Sequence, residues 1–511
     1  MDITKKVYNY WFNKDNRKWF NSTTEDDLFI KENFEKYLTK QRLLFDEVKE
    51  VIAYIILYDQ FPRHIYREEI KHELGKKKTF IADYDAIALR LAQFVIKHNL
   101  FKFMKPEERV FSLMPLRHSF EEDKIRVCLD LVKKWREEED IAIYQRFYKA
   151  TLISLGKQIN NKLSRVRFNE YTTIEQIKEI LDYYEEDIYL EEHLVRQDKL
   201  KKNKIFEMVK RIIGKKSVVL SLSGGVDSII LSYILKHLGI DFIAVSINYT
   251  NRETSYIETE FVNRWCYHMR IPLFVRTIDE INRTTKDRQI YEEVTRVTRF
   301  DLYKRFNRPI ILGHNANDVL ENIFSNIKKQ QKYDNLDGMS FKSFERGIEI
   351  LRPMLKIYKR EIFEFAHQYK IPYLYDSTPK ECERGKMRDI LIPQVKAFEP
   401  KILLGLEELS TNMKEMYRMF NKVILEKTYE EMVFTETECI LDFRDKRDFG
   451  TIYWHPVIIY VCKKLRIPYP TNKSIINFVK MIKRGKDCQC ILCNYLSIEV
   501  KKDKIKIIKT I

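Results

Sequence analysis

Glycine is scarce in this chain: there are 13 in 511 residues, with 13 prolines and 8 cysteines. So few helix breakers exclude a collagen-like or low-complexity chain, and any glycine pair then needs a reason. The cysteines scatter apart from a C-terminal trio, so a disulfide framework is not expected and a reducing, cytoplasmic compartment fits best. No run of about 18 uncharged apolar residues occurs, so no membrane span is expected. The opening MDITKKVYNYWF lacks the basic-then-apolar pattern of a secretory signal. No internal repeat is visible.

What is present is a globular balance, 44% hydrophobic and 33% charged, on a length that calls for about two to four domains. Lys and Arg outnumber Asp and Glu by 92 to 75, giving a net charge of +17. That excess suits a polyanionic partner, because phosphate contacts by Lys and Arg release condensed counterions. A solvated basic surface would have the same composition.

Residues 1–165 read as helical throughout. DEVKEVIAYIILYDQ sets Val48, Val51, Ile52, Ile55 and Ile56 at helical spacing. YDAIALRLAQFVIKH does the same with Ile87, Leu89, Leu91, Phe94, Val95 and Ile96. Residues 166–213 read as a charged helical connector. Over residues 214–400, short β-branched runs (SVVLSLS, DFIAVSIN, PLFVRTI, RPIILGHN) alternate with helical segments. That alternation predicts a doubly wound parallel sheet, which binds ligands outside the carboxyl ends of its strands. Residues 401–511 read as helical, closing on a basic β tail, LSIEVKKDKIKIIKTI.

One glycine pair falls in SLSGGVDSII, at a strand's carboxyl end and the start of a helix that stops at Gly239. Gly224 and Gly225 allow a tight turn and close approach of backbone to ligand, and the helix N-terminus offers N–H groups to an anion. Ser223 and Ser228 add hydroxyls, and Asp227 also complements the helix dipole. The glycine spacing fits neither a Walker A loop nor the G-x-G-x-x-G dinucleotide pattern. A purely structural strand-to-helix turn would use the same glycines.

S-G-G-x-D-S after an apolar strand resembles the signature of the PP-loop, or N-type ATP pyrophosphatase, superfamily. The resemblance implies an adenine nucleotide alpha hydrolase-like fold that binds ATP through Ser223, Gly224, Gly225, Val226, Asp227 and Ser228. Further motifs, over about residues 205–400, are similar to the tRNA(Ile)-lysidine synthetase family. These are INYTNRETSYIETEF (Arg252, Ser255, Glu258), TRVTRF (Arg296, Arg299, Phe300) and LGHNANDVLEN (Gly313, His314, Asp318, Glu321). NLDGM, LRPML and YDSTPKECERGKMRDILIP follow in the family's order. The chain departs from the family at Asn248–Tyr249, where Asp-His is usual, at Asn317, where Asp is usual, and at Gly385, where Asn is usual. KKQQKYDN replaces a glycine-rich run.

The resemblance implies a ligase that adenylates an anticodon cytidine of tRNA with ATP, releases pyrophosphate, and attaches free lysine. It implies Asp227, His314 and Asp318 as catalytic residues, with Gly313 and His314 also at the nucleotide. Asp227 and Asp318 are the candidate Mg²⁺ residues. Arg252, Glu321, Arg296, Arg299, Arg352, Arg384 and Arg388 are the candidate substrate or tRNA contacts.

Two other readings remain open: a PP-loop tRNA 2-thiolase, since GHNAND resembles a thiolase element, and a non-catalytic RNA- or partner-binding protein. Thiolation generally needs cysteines near the loop, and the core holds only Cys266 and Cys382. The trio Cys488, Cys490 and Cys493 would need a fourth zinc ligand, with Cys462 the nearest spare, so incidental cysteines are expected.

The N-terminal part has a resemblance of its own. YNYWFNKDNRKWF, LYDQFPRHIYR, DYDAIALRLA and FSLMPLRHSFEEDK are similar to domain-of-unknown-function family 924, a helical, TPR-like fold. Such a module suits docking of a protein partner. Gln60, Arg63, Arg117 and His118 could form a polar site, but helix-packing hydrogen bonds are the favoured reading.

Overall fold

A computed structural model describes the chain except residues 1–2, 14–18, 20–21, 40–42, 44, 68–69, 71–80, 169–175, 178, 181–199, 253, 285–286, 330–335, 337, 376–382, 485–486 and 510–511. The chain divides into two compact units. One comprises Met1–Ala316 with Ser340–Ser377, and the other Asn317–Met339 with Thr378–Ile511. Most of the segment read as a connector, with Cys382, all of KKQQKYDN after Lys329 and part of NLDGM, lies outside the described residues.

The first unit starts with helices α1 (Ile3–Phe12), α2 (Thr24–Phe34), α3 (Val48–Ile55), α4 (Phe61–Ile65) and α5 (Ala82–Lys97). α6 (Pro106–His118), α7 (Glu122–Glu138) and α8 (Ala142–Lys162) follow. The run over Val51–Phe61 is buried on every side, not on one stripe, and its middle, Ile56–Gln60, is a π-helix. The wider turn places Asp59, which the motif reading did not single out, in the core with no exposed surface.

Asp59 gathers three of the four polar residues expected there. His118 Nδ1 lies 2.9 Å from its carboxylate, Gln60 Nε2 donates to it, and Arg63 donates to its carbonyl at 2.6 Å. The fourth, Arg117, lies 3.4 Å from His118 Nε2 and over the Phe147 ring. Burial alone would raise the Asp59 carboxyl, but His118 and Arg63 hold it down at about 2. Burial pushes the His118 imidazole down to about 4, against the pull of Asp59.

The same unit holds α9 (Lys204–Ile213) and a sheet in the order β3-β2-β1-β4-β6-β5. The strands are β1 (Val218–Ser221), β2 (Phe242–Asn248), β3 (Leu273–Thr277), β4 (Ile310–Ile311), β5 (Lys342–Glu345) and β6 (Ile348–Leu351). β1 through β4 and β6 run parallel, as the alternating pattern predicts. β5 returns antiparallel as a hairpin edge, turning at Arg346 and Gly347, both with positive φ. The crossovers are α10 (Val226–His237), α11 (Ser255–His268) and α12 (Arg288–Lys304), and α14 (Lys359–Gln368) follows β6. The connector is expected to be helical from residue 166, but its start is not: residues 163–168 lie outside any helix, and Val166 N donates to Leu273 O at 2.8 Å.

The second unit begins with α13, which starts at Ala316 and ends at Lys328. It continues with α15 (Glu383–Lys386), α16 (Ile392–Phe398), α17 (Lys401–Phe420) and α18 (Glu426–Glu431). A five-stranded antiparallel sheet, β7-β8-β11-β10-β9, closes it. Its strands are β7 (Val433–Phe434), β8 (Glu438–Asp442), β9 (Cys488–Cys493), β10 (Leu496–Lys501) and β11 (Lys504–Lys509). Helices α19 (Thr451–Leu465) and α20 (Asn472–Ile482) pack with the sheet around Trp454 and Phe478. The region read as helical before its β tail is thus corrected: ECILD and CQCILC are strands too. Their alternation buries Cys439 and Leu441, which is hard to separate from a short helical turn without the partner strand.

His118 gives the first prediction. In the folded chain it protonates near pH 4, and unfolded at its ordinary 6.5, so the unfolded state binds more protons between those values. Stability should therefore fall as pH drops from 6.5 to 4, by on the order of 2 kcal/mol from this group. Denaturant titrations of wild type and His118→Asn across that range should show a shallower slope for the variant. Parallel slopes would refute the assignment.

Candidate active site

Strand order reverses at β1: β2 and β3 extend to one side of it, β4 and β6 to the other. Loops leaving β1 and β4 at their carboxyl ends therefore diverge around a crevice, the usual ligand position in open α/β sheets. The first loop is Leu222–Gly225 and the second is Leu312–Asn315.

Gly224 adopts φ +86°, and its carbonyl accepts from Leu374 N at 3.0 Å while Gly225 bridges to Leu374. A Cβ at Gly224 would also lie 3.0 Å from Leu374 Cδ1. This position therefore needs glycine for its dihedral and for its packing. Gly225 is the N-cap residue of α10 and leads into Val226, which is buried. The Ser228 hydroxyl donates to Gly225 O at 3.0 Å, accepts from Ser223 N at 3.2 Å and lies 3.2 Å from Ser223 Oγ. The two serines thus brace the turn as well as offering hydroxyls. Ser228 N and Ile229 N both donate to the N-cap carbonyl, Gly225 O, at 3.1 Å; the helix N-terminus that follows the loop is the kind of place where an anion is commonly held.

Asp227 is in the first turn of that helix. Its carboxylate accepts from Asn315 Nδ2 at 3.0 Å and is ion-paired with Lys359, the first residue of α14. Gly313 makes this meeting possible: a Cβ there would lie 3.0 Å from Asp227 Cβ and 3.3 Å from Ser228 N. His314 is next to it, and its Nδ1 accepts from Arg352 Nε at 3.1 Å, so a neutral ring carries its proton on Nε2. Arg352 is 4% exposed and also reaches Ser343 Oγ and Glu345 Oε1, both at 2.7 Å. It orients His314 from inside the protein instead of presenting a surface contact.

On α12, Arg299 donates to Tyr249 OH at 3.2 Å and Arg296 to Glu345 at 3.1 Å; both guanidiniums flank the Phe300 ring. Arg252 is ion-paired with Glu258 at 3.5 Å. Four of the remaining residues, Asp318, Glu321, Arg384 and Arg388, belong together in the second unit. Glu321, 2% exposed, accepts from Arg388 at 2.8 Å and from Arg384 at 2.5 Å, and Arg384 also pairs with Asp318. Each Arg of MRD and ERG thus has a carboxylate partner in α13.

Sequence reasoning missed Asn315, Lys359, Leu374 and Tyr303, whose OH donates to Ser221 Oγ at 2.8 Å. Asn315 lies inside the GHNAND element, where its adjacency to His314 was a usable signal. Lys359 and Leu374 reach the loop from far along the chain, and local sequence carries no sign of them.

Residues 196–395 match the PP-loop domain family, and residues 7–167 match a family described as bacterial protein of unknown function (DUF924). Fold and loop thus define a PP-loop protein with a second, helical module. The tRNA(Ile)-lysidine synthase of Chlamydia felis is 34% identical over 232 residues, which cover 42% of this chain and 71% of that one. The Chlamydia muridarum enzyme of the same name is 34% identical over 212 residues, 39% of this chain and 65% of its own length. The chain belongs to the tRNA(Ile)-lysidine synthase family. A solved U34-tRNA thiolase from Methanococcus maripaludis aligns at 17% identity and TM-score 0.35, over 45% of this chain and 80% of that one.

Gly224→Ala tests the loop. A side chain at φ +86° pressed on Leu374 should cost ~1–2 kcal/mol in denaturant unfolding. It should also weaken ATP binding, measured by calorimetry, at least about tenfold, because the amides of the loop and helix N-terminus are re-aimed. A variant that binds ATP normally would remove the loop from the site.

Proposed function

We propose that this protein activates a cytidine of a tRNA anticodon with ATP and joins it to lysine, as the names of its relatives describe. The observation that carries the reading is the meeting of the SGGVDS loop, Asp227 and the GHN loop at the sheet's switch point, in a chain of the lysidine synthase family.

The chemistry balances in two steps. The cytosine C2 oxygen attacks the α-phosphorus of ATP and pyrophosphate leaves. The uncharged ε-amine of lysine then attacks C2, AMP leaves with that oxygen, and the amine sheds a proton. Neither step needs a nucleophile from the protein. The protein's task is to hold the phosphates, orient the base and screen developing charge. Ser223, Gly224, Gly225 and the first turn of α10 would cradle the pyrophosphate portion, with Lys359 as a point charge beside it. His314, fixed by Arg352, would face the same crevice as a hydrogen-bond donor through Nε2.

Asp227 suits a hard cation, since Mg²⁺ takes one or two carboxylates and completes its shell with phosphate oxygens and water. Bound there with ATP, Mg²⁺ would neutralise charge on the leaving pyrophosphate. The Asp318–Glu321–Arg384–Arg388 cluster is the proposed lysine and tRNA contact set, with Arg252, Arg296 and Arg299 as further RNA contacts. The net charge of +17 supports a polyanionic substrate. A cytoplasmic location follows from a tRNA substrate, and no helix among the described residues is long and apolar enough to cross a membrane.

Incubation with tRNA, ATP, Mg²⁺ and lysine, followed by nucleoside mass analysis, should reveal cytidine carrying a lysine-sized mass gain. Sulfur incorporation instead would establish the thiolase reading, and no modification or pyrophosphate release with any tRNA would establish a binding module. Asp227→Ala should abolish AMP formation while leaving the unfolding transition in place. AMP formation that survives the substitution would refute the assigned role.

A further inference from the structure

The helical module over residues 3–162 shares its core with the parallel-sheet domain. Ile278, Ile281, Tyr291 and Val294, from the β3–α12 loop and α12, belong to the same buried cluster as Val132, Leu152 and Leu155. The other face of α12 supplies Phe300, Leu302 and Tyr303 to a cluster with sheet residues Val219, Val245 and Ile310. Helix α12 is therefore held between the sheet and α8.

The joint is built for close approach. A Cβ at Gly156 of α8 would lie 2.6 Å from Thr298 Oγ1 of α12, so any side chain there would have to displace the Thr298 side chain. One turn on, Asn160 has no exposed surface. Its Nδ2 donates to Thr298 O at 3.0 Å and to Asp301 Oδ2 at 2.9 Å, and its Oδ1 accepts from Arg276 Nε of β3 at 2.9 Å. Arg276 is 1% exposed and ion-paired with Glu280. A single amide from the N-terminal module thus satisfies groups on α12 and β3 together, where any unmade hydrogen bond would be expensive. Arg136–Asp287 at 2.5 Å and Lys149–Glu293 at 2.6 Å flank it.

What α12 carries gives the joint its consequence. Arg299 holds Tyr249, and Tyr303 donates to Ser221, the last residue of the strand that enters the SGG loop. We infer that the N-terminal module is a brace for the nucleotide site. Asn160 is its positioning residue: by fixing α12 against β3, it sets Tyr303 under the loop and Arg299 at the crevice. The link to nucleotide binding rests on the proposed function; the brace itself does not.

The test uses the full chain with Asn160→Ala, with Leu91→Ala as control. Leu91 belongs to the same core, on α5, a helix packed on α3 and α6. Hydrogen–deuterium exchange of α12 should speed up by about tenfold in Asn160→Ala, while α10 and α1 exchange as in wild type. ATP affinity should drop by a similar factor, with partial rescue in Asn160→Gln. Leu91→Ala should change neither α12 exchange nor ATP affinity. If Asn160→Ala does not fold, Gly156→Ala presses on the same joint and should give the same local signature. Unchanged α12 exchange, or an equal change in Leu91→Ala, would overturn the brace. A wild-type chain that binds no ATP would strike the functional reading alone, since exchange decides the brace without nucleotide.

Discussion

Everything at the candidate site depends on how closely two strand-end loops approach at Gly313. A Cβ there would lie 3.0 Å from Asp227 Cβ and 3.3 Å from Ser228 N, so any larger residue would press the GHN loop against the start of α10. Asn315, which donates to Asp227, and His314, which accepts from Arg352, sit on that same loop. The missing atom lets a carboxylate, an amide, an imidazole and a helix N-terminus occupy one small volume. Lys359 completes it by placing a cation against the carboxylate. The set thus holds groups of both signs of charge together by packing, the kind of arrangement that electrostatic preorganisation requires.

The fixing groups are themselves fixed. Arg352 spends its donors on Ser343, Glu345 and His314, so its charge steers one ring. Tyr303 is fully buried, with its phenol pushed up to about 12 chiefly by burial, so it stays a neutral donor to Ser221 across working pH. In the second unit, Arg384 and Arg388 neutralise Asp318 and Glu321, of which Glu321 is almost wholly buried. Glu321 keeps one of the two arginines if the other is replaced, so its burial does not rest on a single pair.

The sequence made the loop legible because its constraints are local. Only glycine readily tolerates φ +86°, a helix starts directly after the pair, and both facts lie within SLSGGVDS. The parallel sheet was legible from β-branched runs spaced by helices. Contacts made across the chain were not: Leu374 clamps Gly224 from 150 residues away, and Lys359 meets Asp227 across 132. The C-terminal sheet was hidden for a related reason, since ECILD is a strand through its pairing with β11 and β7. In the N-terminal module the QFPR and LRHS elements were visible, but Asp59, which unites them, lies in a uniformly buried run with no polar pattern to mark it.

Shared burial also bears on why two modules occupy one chain. A tethered domain keeps its own core, and its partner keeps a polar face toward it. Here Ile278, Ile281, Tyr291 and Val294 face the helical module, and Asn160 and Arg276 satisfy each other across the joint. Separating the parts would wet those side chains and strand a buried guanidinium with only Glu280 and a carbonyl for company. The hydrophobic term alone, at about 25 cal/mol per Å² of apolar surface, favours keeping the joint closed. The helical module and the parallel-sheet domain therefore form one fold, with α12 in the cores of both.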